Sequence, residues 1–505
     1  MNQTGTRSGS SPRQAARNGD VEACFASAEV AAAVRTRPSW HAAGRPSRIG
    51  ECDVARTVAA AVTEALLISR CEWCNRPTFG CISVSCPAGQ WRDQRTWPYR
   101  EQVTDPQPEP DTELLTEPRE GMPPLIQTSA GLAQAAERLA SGSGPIAIDT
   151  ERASGFRYSG RAYLIQLRRA GAGTLLVDPI PIDDLAPLRA ALTGPEWILH
   201  AASQDLPCLA ELELHPASLF DTELAARLCD FEKVGLASIT EQLLGFRLEK
   251  QHSAADWSSR PLPHDWLVYA ALDVELLLEL RGKLAAELAE QGKTAWAEAE
   301  FEHVRTAGPP KPRKEPWRRT SGIHKVRGAK ALSRVRAVWE ARDDLARKLD
   351  RAPGKVLPDA AIVEAAVNDP TDFAELMSLP GFRRRGGRTN ARLWLAALAE
   401  ARKLPGERLP ATTPPQDGPP AAHRWADRDP DAAERLAAAR EVVADVAGAH
   451  RLPAENLITP AIVRALAWEP PSRLSEEDVR EALLEAGARR WQVDLLAGGL
   501  TEALG

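Results

Sequence analysis

The sequence is short of several things that would place a protein outside the ordinary soluble class. Six of its eight cysteines fall before residue 90, and the long remainder holds only Cys208 and Cys229. That excludes a disulfide framework for most of the chain. No uninterrupted apolar run approaches the ~18 residues that a membrane helix needs. The opening stretch, MNQTGTRSGSSPRQAARNGD, carries basic residues with no apolar segment behind them, so no secretory signal is expected. These absences lead us to expect a cytoplasmic protein with no membrane partner. An excess of positive charge is missing too, since 63 Lys and Arg face 69 Asp and Glu for a net charge of -6. Binding to nucleic acid would therefore have to rest on local clusters rather than on bulk charge.

What is present is an ordinary globular composition, 43% hydrophobic and 26% charged, spread over 505 residues. A single core stops growing near ~250 residues, so two or three domains are expected. Residues 1 to about 100 show no sustained period apart from a short helical stretch near Val54–Ser69, and we expect the extension and linker over 1–123 to be mostly disordered. Within it, Cys71, Cys74, Cys81 and Cys86 could hold a tetrahedral zinc. The second pair is not a CxxC, however, and the Pro- and Glu-rich run from Val103 looks like the true start of an enzyme.

From Pro124 to about Ala307 the pattern alternates strands and helices. Gly144–Asp149, Ala162–Leu167 and Thr174–Asp178 are apolar runs separated by Gly-rich turns, as in a three-strand meander. A helix (Asp183–Leu192), a fourth strand (Trp197–Ala201) and further helices follow, which predicts a mixed sheet flanked by helices. Residues 308–328 form a basic, Pro-rich linker around Trp317. The rest reads as two all-α modules, 329–404 and 431–505, joined by a second Pro-rich linker, 405–430. The modules repeat one another, Pro353, Leu357 and Ile362-Val363 pairing with Pro453, Leu457 and Ile462-Val463.

Chemistry is carried by three separated patterns. In IAIDTE, Asp149 and Glu151 lie two apart at a strand end and so share one face. In HAASQDLPC, Asp205 follows a strand and opens a helix, where an acid would also suit the helix dipole. In YAALD, Tyr269 and Asp273 stand at i and i+4 on one helix face. Each is a weak signal by itself, since caps, solvated acids and buried hydrogen bonds explain such residues. Acids converging from a strand and two helices would repel and raise one another's pKa, and they make sense together if hard divalent cations relieve them.

In this order the patterns resemble the ribonuclease D family, DEDD exonucleases of the tyrosine subtype. Asp149 and Glu151 match the first motif, Asp205 the second, and Tyr269 with Asp273 the third. The stretch Ser253–Pro263, SAADWSSRPLP, is similar to the family's DW-x-x-RPL. The resemblance implies a ribonuclease-H-like catalytic domain over 124–307 and HRDC-type helical modules behind it. It also implies two Mg²⁺ or Mn²⁺ ions. Asp149 would bridge them, Glu151 and Asp273 would bind the ion holding the attacking water, and Asp205 would hold the second ion largely through water. Tyr269 would orient the water rather than deprotonate it, because an ordinary tyrosine pKa of ~10 makes a poor base.

The implied activity is 3′-5′ exoribonuclease hydrolysis releasing nucleoside 5′-monophosphates, on single-stranded RNA 3′ ends and transfer RNA precursors; a monomer is expected, because tandem modules supply in one chain the valency that a dimer would provide. A DNA exonuclease or a non-catalytic nucleic-acid-binding protein are the alternatives. Phosphate contacts are expected from the linker residues Arg318, Arg319 and Lys325. A second set is Arg383, Arg384, Arg385 and Arg388, in a Gly-bearing turn that offers backbone N–H groups and guanidinium forks together. Trp394 and Trp491, by contrast, read as core.

Overall fold

A computed structural model describes residues 112–248, 254–308, 312–414 and 418–505. The disorder and the zinc set Cys71, Cys74, Cys81 and Cys86 expected of the N-terminal extension, together with the start near Val103, lie outside the described residues. The last part of that extension is folded. Strand β1 (Glu113–Leu115) pairs in parallel with β8 (Phe246–Leu248), and Arg119 forms ion pairs with Glu275 and Glu279.

The expected meander is present as β3 (Ser143–Arg152), β4 (Ala162–Ala170) and β5 (Gly173–Val177), each antiparallel to the next. Two short strands not read from the sequence, β2 (Leu125–Ile126) and β7 (Ser218–Asp221), join β6 (Glu196–Leu199) to complete a six-stranded mixed sheet in the order β2-β5-β4-β3-β6-β7. β2, β6 and β7 run parallel to their neighbours β5, β3 and β6. β4 is buried on both faces from Ala162 to Arg168, as a central strand covered on both sides must be. One face packs Ile146, Ile148, Ile165 and Leu167 with helix α1 (Ser129–Ser141) and α2 (Ala186–Leu192). The other packs Tyr163, Leu164 and Leu176 with Trp257, Leu262 and the helix that begins at His264.

Residues 329–402 form a helical module around α9 (Ala329–Leu349), α11 (Asp359–Asn368) and α14 (Ala391–Arg402), with its own core of Val335, Val338, Leu357, Ile362, Phe382, Trp394 and Leu398. In between, chain order runs α3 (Leu206–Ala210), α4 (Thr222–Leu228), α5 (Leu236–Leu244), α6 (His264–Glu275), α7 (Leu277–Glu290), α8 (Thr294–Thr306), α10 (Pro353–Val356), α12 (Phe373–Ser378) and α13 (Arg385–Thr389). The second module, α15 (Trp425–Arg428), α16 (Pro430–Ala449), α17 (Ala454–Leu457), α18 (Pro460–Trp468), α19 (Glu476–Glu485) and α20 (Arg490–Leu504), shares one continuous apolar cluster with the sheet region. Both Pro-rich linkers supply a buried tryptophan to the module that follows, Trp317 to the first and Trp425 to the second.

The repeat is real but its register differs by one residue from the sequence pairing. Asp350 and Arg451 occupy the same left-handed position, at φ 43° and 49°. Ala352 and Pro453 cap the matching helices. Arg334 and Arg435 donate to the carbonyls of Ala366 and Ala467 at 2.8 and 2.9 Å. Proline is tolerated at both the N-cap and the first helical position, so aligning Pro353 with Pro453 did not determine the register. Among the described residues, no helix is long and apolar enough to cross a membrane.

Candidate active site

The first two acids are placed by β3. Asp149 and Glu151 pair with Gln166 and Leu164 of β4, so alternation sends both carboxylates to one face. Gln166, fully buried, donates its amide to Asp149 Oδ2 at 3.2 Å and holds that carboxylate's orientation. Nothing local in the sequence singled Gln166 out; only the cross-strand register reveals it.

Asp205 sits where a strained turn enters α3. Ala201 takes φ 61°, a conformation that costs a residue bearing Cβ of order 1 kcal/mol. The buried Asp221 carboxylate holds it there by accepting from the N–H groups of Ala201 and Ala202 at 3.1 and 2.8 Å. The Asp205 side chain does not cap α3. It accepts instead from Thr150 Oγ1 at 2.6 Å, which ties the second pattern to the strand carrying the first.

Tyr269 and Asp273 lie on α6, as the i, i+4 spacing predicted. The helix is clamped at both ends. Ahead of it, Arg260 makes a two-pronged ion pair with the buried Asp178, both contacts at 2.7 Å, and donates to the carbonyls of Tyr163 and Trp257. At its end Glu275, fully buried, lies 3.3 Å from Arg168 Nη1 of β4 and 3.0 Å from Arg119. The DWSSRPL stretch thus acts as a brace that seats α6 on the sheet, with Trp257 buried beneath it.

Carboxylate oxygens of Asp149, Glu151 and Asp273 lie within 4.8 Å of one another, a spacing at which one cation can touch all three. Asp205 is not in that triplet, but it lines the same cavity of about 240 Å³ with Arg152, His200, Gln204 and Tyr269. At ~30 Å³ per water this space accommodates several hydrated groups rather than a dry ligand. Burial first, then mutual repulsion, lifts the acids. Glu151 is pushed to about 9 and Asp273 to about 7, while Asp149 is also raised. Asp205, lifted mainly by burial and eased by Thr150, reaches about 6. A set of acids that cannot all ionise unaided is what a cation site requires, so the residues fit divalent metal. The Tyr269 phenol hydrogen-bonds Asp273 and is pushed above its ordinary pKa by burial and by the surrounding acids. His200, buried and bonded to Thr222 at 2.9 Å, is lowered to about 4 and is neutral near pH 7.

The expected phosphate-binding residues are scattered and differ in availability. Arg318 is engaged by Glu315 at 2.6 Å, by the Ala411 carbonyl at 2.9 Å and by the Trp317 ring at 4.3 Å. Arg319 and Lys325 are exposed. Arg383 donates to the carbonyls of Met377 and Ser378, whereas Arg384 and Arg388 are exposed; Arg385 opens α13. The glycines of this turn have a packing reason that the sequence did not reveal. A Cβ on Gly386 would meet the Val356 carbonyl at 2.6 Å, and one on Gly387 would meet Phe382 Cα at 2.7 Å.

Comparison with known proteins agrees with this geometry. The family described as 3′-5′ exonuclease matches residues 123–289, an HRDC domain matches 331–398, and a 3′ to 5′ exonuclease C-terminal domain matches 418–504. A ribonuclease D of Acidiphilium cryptum is 31% identical over 368 residues, covering 70% of this chain and 88% of that one. Among solved structures, a protein from Bifidobacterium adolescentis aligns with a TM-score of 0.72 at 40% identity, over 78% of this chain and 99% of the other. Escherichia coli RNase D, described as an exoribonuclease involved in structured RNA processing, aligns with a TM-score of 0.55 at 27% identity, over 76% and 98%.

Proposed function

Given that this chain belongs to the ribonuclease D family and is a 3′-5′ exoribonuclease, we propose that it trims single-stranded RNA 3′ ends, transfer RNA precursors among them, with the help of two divalent metal ions. We read 124–307 as the catalytic domain, 329–404 and 431–505 as helical modules that hold RNA or support the site, and 308–328 and 405–430 as their linkers. The protein acts as a cytoplasmic monomer in this reading. The observation that carries it is the convergence of the Asp149, Glu151 and Asp273 carboxylates in one cavity with Asp205.

In this reading Asp149, Glu151 and Asp273 would hold Mg²⁺ or Mn²⁺, and Asp205 would help to hold the second ion. The bound ions would supply Lewis acidity for the attacking water and for the departing 3′ oxygen. Gln166 keeps Asp149 from rotating out of place. Tyr269 donates its proton to Asp273, which leaves its lone pairs to accept from the attacking water. Its raised pKa supports orientation of that water over proton abstraction. Displacement at the terminal phosphodiester then releases a nucleoside 5′-monophosphate and a shortened RNA bearing a new 3′ hydroxyl.

The test is digestion of a 5′-labelled single-stranded RNA with Mg²⁺, with Mn²⁺ and in EDTA, beside the Asp149→Asn variant and a DNA strand of equal sequence. We expect metal-dependent shortening from the 3′ end, weak on DNA and lost in the variant. Faster shortening of the DNA would replace the RNA assignment, and binding without cleavage under either metal would overturn the enzymatic one.

A further inference from the structure

Arg152 follows Glu151 directly, and simple alternation would send its side chain to the opposite face of β3. The pairing of β3 with β4 shifts at this point, Glu151 standing opposite Leu164 and Arg152 opposite Ala162. Such irregularities re-aim side chains beside active sites. Arg152 consequently lines two cavities. One is the acid-lined cavity with Asp149, Glu151, Asp205 and Asp273. The other, about 210 Å³, shares Glu151 with the first, extends past Ser154 and Gly155 to Phe156 and holds none of the three aspartates.

Arg152 is a half-buried residue, yet among the described residues its guanidinium makes no hydrogen bond or ion pair. An arginine has five donors and never loses its charge, and leaving it partly desolvated and unpaired is costly. Its position one residue from Glu151 offers an obvious partner that it does not take. It does not serve as the closed counter-ion of the acids, although its charge opposes the lift that burial gives Glu151 and Asp205. The natural partner for an unpaired fork at the boundary of two wet cavities is an anion delivered from outside, and phosphate fits that fork bidentately.

We propose that Arg152 is a substrate-binding residue that grips the phosphate one linkage 5′ of the scissile one. This rests on the exonuclease reading above. The scissile phosphate must lie over the acid triplet, so the phosphate that Arg152 serves lies toward the second cavity. At ~30 Å³ per water that cavity has room for a phosphate and its waters. It leads to Phe156, whose ring lies 5.1 Å from Lys355 Nζ of the first helical module. The strand therefore leaves the catalytic cavity toward that module.

The experiment is a kinetic cycle between protein and substrate. The full-length protein and its Arg152→Ala and Arg152→Lys variants are given a 5′-labelled oligouridylate. A second substrate carries a neutral methylphosphonate at the linkage next to the 3′-terminal one. Release of the first nucleotide is followed, with kcat and KM separated. We expect Arg152→Ala to raise KM about tenfold, the size of a lost charge-assisted contact, with kcat changed little. The methylphosphonate should cost the unmodified protein as much, and it should cost Arg152→Ala little more. Arg152→Lys should recover part of the loss, having charge without the fork. Losses that multiply, an unchanged KM, or a fall in kcat alone would overturn the assignment. If Arg152→Ala fails to fold, the methylphosphonate still decides, because indifference of the unmodified protein to it would also overturn the proposal. Failure of the unmodified protein to shorten the all-phosphodiester RNA would count against the exonuclease reading instead.

Discussion

The two helical modules are copies of one frame with opposite relations to the catalytic fold. In the first, Asp343 and Arg347 near the end of α9 and Asp350 just after it meet Tyr158, Ser159 and Arg161 through hydrogen bonds of 2.9 to 3.3 Å. One backbone bond, from Ala352 N–H to the Phe156 carbonyl at 2.9 Å, completes this polar seam. The module keeps its core to itself apart from Tyr158, which packs against it. In the second module the positions equivalent to Asp343 and Arg347 are Ala444 and Gly448, and contact with α8 is made by large buried groups. Trp491 stacks on Trp296 at 4.9 Å, and Arg489, Trp491 and Gln492 all donate to the buried Glu300. Lys293 bridges the two parts through the carbonyls of Leu228 and Arg451. Exposed polar contacts are worth ~0.2–1 kcal/mol each and weaken with salt, whereas burial of aromatics is worth several times more. The lesson is that sequence repetition copied the fold but not the attachment. A few facing residues decide whether a module is integral to the catalytic body or tethered to it.

The largest test of how the second module is attached is Trp491→Ala. It should cost about 3–5 kcal/mol and lower the urea midpoint of the sheet region and the second module together. Separate transitions for these two would show that their common apolar cluster is not one cooperative unit. Glu300→Ala comes next, at about 2 kcal/mol, because it removes the one buried carboxylate to which Arg489, Trp491 and Gln492 all donate; a loss under 1 kcal/mol by the same denaturant curve would mean that these donors find water.

The acids sharpen the contrast through pH. Glu151, Asp273 and Asp205 titrate higher in the fold than the ~4 of free carboxylates. Their stabilising contribution is therefore present below that value and is lost as pH rises toward about 9, where the last of them must ionise. In EDTA the thermal midpoint of the catalytic body should fall between pH 5 and pH 9, and Mg²⁺ should restore it, while unfolding of the first helical module follows neither. A midpoint that rises over this range would contradict the crowding of the acids. A smaller effect, about 1 kcal/mol, is expected from Asp343→Asn together with Tyr158→Phe, measured as calorimetric separation of the first module that grows with added salt.

The smallest change in stability, within ~0.5 kcal/mol, is expected for Arg388→Ala. In the second module the arginine ahead of the last helix, Arg489, is occupied by Glu300. The variant should nevertheless weaken RNA binding and reduce the salt slope by about 1 if Arg388 contacts phosphate. An unchanged slope would leave both modules as supports of the catalytic body.

Much of the site was legible because it follows local geometry. Strand alternation put Asp149 and Glu151 together, helical periodicity did the same for Tyr269 and Asp273, and the meander was visible in apolar runs between glycines. The edge strands β2 and β7 were too short to show a period. Gln166, Thr150 and Arg152 escaped notice because their roles come from cross-strand register and from a shift in it. The turn with Gly386 and Gly387 reads as a phosphate loop in one dimension and as close backbone packing in three.

Local rules of the chain settle the order of the chemistry along it: which acids, on which kind of element, at what spacing. Those facts need only the periods of strand and helix. Only the packed fold settles that Arg260 seats α6 through Asp178, that Glu275 anchors its far end through Arg168, that Glu300 claims Arg489, and that Arg388 stays exposed. These partners lie 82, 107 and 189 residues apart in the chain or concern a surface left uncovered. A charged side chain carries no local mark of its partner, because ion pairing depends on distance in space, and distance in space is set only when the sheet and its helices have packed.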